Sequence, residues 1–218
     1  LNLDVINAGL LDYEEGLKLQ QLVWNDVLEL KRPSTIIFCE HPPIYTFGKS
    51  AKSENLLVNA QQLELMGAKV QQTDRGGDIT FHGPGQLVGY PIVNLENYQL
   101  GVRRYVDLLE DALIEACSEF NVKADKLEGL TGIWVNAERK IAAIGIKVSR
   151  GITRHGFALN VNTDLNYFNH MVPCGIKEKS VTSIKAETNQ VLSLSEVASK
   201  FTTIFNNKLL QNESKFEG

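Results

Sequence analysis

Cys174 stands between Pro173 and Gly175 in a polar connection, where an apolar filler has little core to enter, and a thiol so placed is a candidate nucleophile as well as a plain half-buried turn residue. Near its ordinary pKa of about 8.5 a thiol is only about 3% thiolate at neutral pH, so nucleophilic work requires a cation or base beside it. The sequence offers two kinds. His82 and His155 titrate nearest to neutrality. Lys140 opens an extended run in which strict alternation sets it in one row with Ala142, Ile144 and Ile146, where an ammonium would be poorly hydrated. The same alternation sends Lys147 to the other face. A lysine just after a turn also reaches water easily, so the residues alone leave imidazole and amine partners both open.

A second concentration of unusual residues is Arg75-Gly-Gly-Asp-Ile-Thr-Phe-His-Gly-Pro-Gly-Gln-Leu-Val-Gly-Tyr90, with five glycines in sixteen residues. Glycine at that density implies close approach of the main chain to something else, often a ligand. A phosphate cradle does not fit. No G-x-x-x-x-G-K-[ST] is present, Gly83, Gly85 and Gly89 are spaced one residue too long for the dinucleotide fingerprint, and Tyr90-Pro91-Ile92-Val93 after them reads as strand rather than helix. Arg75 suits a carboxylate or phosphate clamp or a structural ion pair. His41 and His155 share the ambiguity of His82 between structure and pocket, and His170 reads as surface.

The elements that must position these groups fit one domain spanning 1–218. Hydrophobic content of 43% and charged content of 22% suit a globular protein, and no apolar run approaches the roughly 20 residues of a membrane span. No signal peptide is evident and cytoplasm is the expected compartment, although the sequence does not begin with Met. Three cysteines without CxxC or Cys/His spacing argue against a disulfide framework and a zinc site, so no metal is expected. Cys39 and Cys117 read as core. The net charge of −4 is uneven: positions 139–185 carry eight Lys/Arg against two acids, a candidate docking side for an acidic partner or simply a solvated face.

Periodicity gives a strand at 3–6, a helix from Asp12 to Leu30, strands at 35–40 and 44–48, a short helix at 59–66 closed by Gly67, and strands at 68–73 and 86–95. A long amphipathic helix follows over Val102 to Phe120. Strands at 131–135, 140–148 and 155–161 then form an antiparallel meander, and Ser193 opens a final helix reaching about Leu210. Helices and strands mixed without a strict βαβ repeat predict an α+β fold with a mixed, largely antiparallel sheet flanked by helices.

Six segments in order, His41-Pro-Pro-Ile-Tyr-Thr-Phe-Gly48, Arg75 to Gln86, Gly132-Ile-Trp-Val135, Arg139-Lys-Ile-Ala-Ala-Ile-Gly145, His155-Gly-Phe-Ala-Leu-Asn-Val161 and Pro173-Cys-Gly175, resemble the bacterial lipoyl(octanoyl) transferase family. The resemblance runs from about residue 10 to about residue 200. It implies a lipoate/biotin protein ligase-like fold and transfer of an octanoyl group from acyl carrier protein to a lysine of lipoyl domains, those of 2-oxoacid dehydrogenase complexes and of the glycine cleavage H protein. It implies a dyad, with Cys174 as acyl-thioester nucleophile and Lys140 as the group that lowers its pKa and relays protons. The acyl and thioester pocket it implies is Arg75, Gly76, Gly77, Asp78, Ile79, Thr80, Phe81 and His82, with Ala143, Ile144, Gly145, Gly156, Phe157 and Ala158; His41, Tyr90 and His155 are further pocket candidates.

A carrier thioester is already activated, so the resemblance implies no cofactor beyond the carrier's phosphopantetheine. Neither nucleic acid nor membrane is an expected partner, and a monomer is expected. Three other readings compete: an ATP-dependent lipoate or biotin ligase, which needs no cysteine; a Cys/His thioester hydrolase using His82 or His155; and a module that only binds the carrier or the lipoyl domain.

Overall fold

A computed structural model describes residues 3–172 and 179–214, with the side chains of the last two left aside. The strands are β1 (Asp4–Leu10), β2 (Thr35–Glu40), β3 (Ile44–Phe47), β4 (Lys69–Gln72), β5 (Ile79–His82), β6 (Gln86–Ile92), β7 (Asp125–Leu127), β8 (Leu130–Val135), β9 (Arg139–Ser149), β10 (Ile152–Asn160) and β11 (Ser180–Val181). The helices are α1 (Tyr13–Leu28), α2 (Ala60–Leu65), α3 (Val102–Ser118), α4 (Ile184–Thr188) and α5 (Leu194–Ser214). The fold is α+β, as expected. Its main sheet runs β1-β2-β6-β10-β9-β8-β7 with β11 beside β9, and only the β1/β2 and β9/β11 pairs are parallel; β4-β3-β5 form a second, smaller sheet.

Alternation along the central strands divides the protein into two layers on either side of the main sheet. One face carries Ile36, Phe38, Leu87, Ile133, Ala142, Phe157 and Leu159 against α3 and α5, whose Leu109, Leu113, Ala116, Cys117, Phe201 and Phe205 are fully buried. Burying side chains of this size contributes about 1.5–3 kcal/mol each. The other face carries Ile37, Cys39, Val88, Tyr90 and Ala158 beneath Val23, Trp24 and Val27 of α1. The small sheet has its own aromatic core of Tyr45, Phe47, Phe81 and Phe168. Both expected structural cysteines, Cys39 and Cys117, lie in core, and burial pushes each thiol up to about 12.

The longer elements fall where periodicity puts them. Helix α1 starts at Asp12, whose carboxylate accepts the Glu14 N–H, and stops two residues early because Leu30 turns to φ +58°. Helix α2 has a capping box between Asn59 and Gln62. Strand β5 inside the glycine segment, β7, β11 and α4 were not expected, since two to five residues carry too little pattern to stand alone. Each is fixed by a neighbour: β11 by pairing Val181 with Lys140, α4 by the Ser183 hydroxyl accepting the Ala186 N–H. No helix among the described residues is long and apolar enough to cross a membrane.

Candidate active site

The glycine segment lies so close to β9 and to the residue after β3 that a side chain at Gly145 or at Gly48 would collide with its backbone. A Cβ on Gly145 would lie 2.7 Å from the Gly76 carbonyl oxygen, and one on Gly48 2.2 Å from that of Gly77. The close contact for which these glycines are needed is therefore between two stretches of the protein's own backbone, tied by the Gly76 N–H donating to Ile146 O at 2.9 Å. Between this junction and the opened end of β8/β9 lies a cavity of about 350 Å³. Such a volume holds a medium-length acyl chain.

Of the expected residues, Arg75, Gly77, Asp78, Ile79, Thr80 and His82 line it from one side, and Lys140, Ala143, Ile144, Gly145, His155, Gly156, Phe157 and Ala158 from the other, with Tyr90 between. Three candidates are not among the lining residues. Gly76 sits behind the wall on Ile146, Phe81 belongs to the small sheet's core, and His41 is fully buried behind Tyr90. Asp78 spends its carboxylate on the Asn55 amide at 2.9 Å and on the Ile79 N–H at 2.7 Å.

Polar groups under the cavity are matched donor to acceptor. Arg75 donates from Nη2 to the Thr46 carbonyl at 2.6 Å and, with Nε, to Thr46 Oγ1. The Gln86 amide nitrogen donates to Phe81 O and Asn160 Oδ1, so its oxygen faces His82 Nδ1 at 2.9 Å as acceptor, which fixes the proton on Nδ1. His82 Nε2 is left to accept from Thr46, 3.4 Å away. Asn160 donates to Thr182 O, and the Thr182 N–H donates to the Lys140 carbonyl at 2.9 Å. An unbroken chain of hydrogen bonds thus joins the arginine of the glycine segment to the strand that carries Lys140. Burial holds His82 neutral, well below the usual imidazole range. His41 is arranged likewise: its Nδ1–H donates to Leu11 O at 2.6 Å, and Nε2 accepts the Tyr90 hydroxyl at 2.7 Å.

The Lys140 side chain is buried, and its Nζ lies 4.9 Å from the centre of the Trp134 ring. Expected alternation fails here for a visible reason. Ile133 pairs with Ala142, but the next residue, Trp134, pairs with Lys140, so Ile141 is an extra residue in β9 and forms a β-bulge. The bulge turns Lys140 onto the face of Trp134 and out of the row of Ala142, Ile144 and Ile146, which join the α3/α5 core, the first two at the cavity's edge. Beyond it, regular pairing with β10 puts Ala143, Gly145 and Lys147 on the cavity face. Lys147 therefore shares a face with Lys140, contrary to the alternation argument, and differs by its partner: its ammonium is held 2.6 Å from Asp74.

Asp74 is a hub that sequence inspection passed over. It also takes Arg154 at 3.2 Å and His155 Nε2 at 2.6 Å. His155 adopts φ +56°, a backbone state rare for a residue with a side chain, and its N–H leaves for the Gln20 side chain at 2.8 Å. Burial lowers the His155 pKa against the pull of Asp74. For Asp74 burial acts upward, but the Lys147 and His155 hydrogen bonds outweigh it and hold the carboxyl well below the usual range. Asp74→Asn is expected to cost about 1 kcal/mol, since the site is half exposed, and to lower Tm by about 2–4 °C. A depressed carboxyl contributes stability above its unfolded pKa and loses it as pH falls through its folded value. The deficit should therefore be full at neutral pH and shrink only in strong acid, as thermal melts of both proteins would show.

The basic stretch is partly internal. Arg139 pairs bidentately with Glu187, and Lys147 and Arg154 with Asp74; Arg150 and Lys185 are exposed. Cys174 lies outside the described residues. Its flanks do not: Met171 and Val181 both line the cavity, and Val181 pairs with Lys140. No group of three or more His, Cys, Asp or Glu side chains able to hold a metal occurs among the described residues.

Residues 12–206 match the lipoyl protein ligase A/B catalytic domain. An octanoyltransferase of Cytophaga hutchinsonii is 44% identical, over 88% of this chain and 86% of its own. In fold, the chain is similar to a bipartite lipoate protein ligase of Thermoplasma acidophilum, at TM-score 0.73 and 14% identity over 96% of this chain and 84% of that one. It is also similar to the biotin protein ligase of Aquifex aeolicus, at TM-score 0.61 and 16% identity over 98% and 72%. With a cavity walled by the glycine segment and β9, and a buried lysine at its bulged end, the chain belongs to the lipoyl protein ligase A/B catalytic domain family.

Proposed function

We propose that the protein is an octanoyltransferase that takes the acyl group from acyl carrier protein onto Cys174 and passes it to a lysine of lipoyl domains. The observation that carries this reading is that buried Lys140 lines the same cavity as Met171 and Val181, the latter its strand partner. The 44% identical relative named octanoyltransferase points to the same chemistry.

The Cys174 thiolate, stabilised by the Lys140 ammonium, attacks the thioester carbonyl carbon. The bond to the pantetheine sulfur breaks, and that thiol leaves with a proton from Lys140. Neutral Lys140 then takes a proton from the incoming lysine amine as that amine attacks the Cys174 thioester. An amide forms, the bond to Cys174 breaks, and the thiolate and ammonium are restored. An alkyl amine with an ordinary pKa of about 10.4 is almost wholly protonated at pH 7, so the attacking amine has first lost one proton to water, and Lys140 takes the second as the amide forms. Energy comes from the donor thioester, so the scheme needs neither nucleotide nor metal. His82 has both ring nitrogens engaged, by Gln86 and by Thr46, which speaks against it as the proton carrier.

Incubation with octanoyl-carrier protein, without ATP, should give a protein heavier by one octanoyl group on Cys174, and addition of a lipoyl domain should move that mass to the acceptor. Intact-mass spectrometry follows both steps. Release of free octanoate instead would indicate a hydrolase, and modification of the acceptor only with ATP and free acid would indicate a ligase.

A further inference from the structure

Glu110, on α3, is buried, yet it faces β8 rather than water. Its Oε1 accepts the N–H of Gly132 at 2.8 Å. Gly132 sits at φ +113°, one residue before the register shift opposite Ile141, and a Cβ there would meet Ala142 O at 2.5 Å and Lys140 Cε at 2.8 Å. The backbone of Gly132 is thus one side of a slot whose other side is the Trp134 ring, and the Lys140 stem lies in it. Regular ladder geometry would not hold Gly132 in this conformation; the carboxylate of α3 does, by taking its N–H. Burial pushes the Glu110 carboxyl up from its ordinary value, while the Gly132 N–H and Lys126 pull it down.

We propose that Glu110 is a positioning residue for Lys140, acting through Gly132 to fix the slot that aims the amine into the cavity. Gly129, Leu130 and Thr131, which also line the cavity, directly precede the same anchored peptide, so one hydrogen bond orients both the lysine and the adjoining wall. The inference rests on the assignment of Lys140 as proton carrier. The transfer rates of wild type and Lys140→Met, measured in parallel, test that assignment by itself.

The experiment compares Glu110→Gln, which keeps an oxygen acceptor, with Glu110→Met, which keeps the bulk and loses it. Adduct formation from octanoyl-carrier protein should fall about tenfold or more in Glu110→Met and stay within about twofold in Glu110→Gln, well below either Tm. In a Lys140→Met background, Glu110→Met should cost nothing further, because its path runs through the lysine. A readout independent of activity is reductive methylation of Lys140 followed by peptide mass: its rate should change in Glu110→Met and not in Glu110→Gln. Should Glu110→Met not fold, Glu110→Asp, whose shorter reach strains the same bond, is expected to show both changes in reduced degree. Equal losses in Gln and Met variants, an undiminished cost without Lys140, or an unchanged methylation rate would overturn the proposal.

Discussion

Lys140→Met is expected to lower the rate of octanoyl transfer by a factor of about 10²–10⁴, the usual worth of a positioned proton donor and acceptor. Methionine preserves the stem between Gly132 and Trp134 and removes the amine, so the loss should appear without a comparable loss of Tm. Both half-reactions should suffer. Adduct formation slows because the Cys174 thiolate loses its counter-charge, and transfer from a preformed adduct slows because the acceptor amine keeps its proton. Lys147→Met is the control that the fold supplies: it lies on the same face of β9, about 23 Å further along seven residues of strand, and its charge is spent on Asp74. Its transfer rate should remain within about twofold of wild type. Stopped-flow quench with intact-mass detection separates the steps. Wild-type adduct formation in Lys140→Met would remove the lysine from the mechanism and return the role to an imidazole.

The second large effect concerns stability. Gly156 in β10 faces the β6 backbone so closely that a Cβ would lie 2.2 Å from Gly89 O and 2.6 Å from Pro91 Cδ. Neither is the far end of a flexible side chain, so β6 and β10 must separate. They are neighbours in the middle of the main sheet, and between them Tyr90 and Ala158 join the α1 core while Leu87 and Phe157 join the α3/α5 core. Gly156→Ala is expected to cost about 3 kcal/mol, the upper end for overpacking, and to lower Tm by roughly 6–12 °C. Gly101→Ala, where a Cβ would meet nothing within 4 Å and φ is −79°, should change Tm little. Differential scanning fluorimetry suffices for both. A Gly156→Ala protein as stable as wild type would show that the strands are farther apart than these distances state.

Much of the site was legible because its residue types are poor choices for anything else. Glycine density in 75–90 announced close backbone approach, and Lys140 at the head of an apolar run was a candidate buried amine as well as a water-reaching one; Cys174 lies outside the described residues. The partners of the close approach were not legible. The glycines were expected to meet a ligand; Gly77 does line the cavity, whereas a Cβ on Gly85 would run into the Asn162 backbone and one on Gly89 into the Phe157 ring. Asp74, Glu110, Gln86 and Asn160 escaped notice because each reads as an ordinary polar residue beside an apolar stripe or strand. What distinguishes them is a contact across as many as 81 positions of sequence.

The sequence by itself determined the main helices, most of the long strands, the antiparallel meander of β8, β9 and β10, and the α+β class, because each rests on a local period of burial that any packing must satisfy. It also carried the six motifs that mark the family. Tertiary structure alone decided which face Lys140 occupies. Period-two alternation predicts the wrong one, since a bulge depends on pairing between two strands and leaves no mark in either. It likewise decided that Lys147 and His155 serve Asp74, and that the lysine's slot is closed by a carboxylate from a helix 22 residues before Gly132.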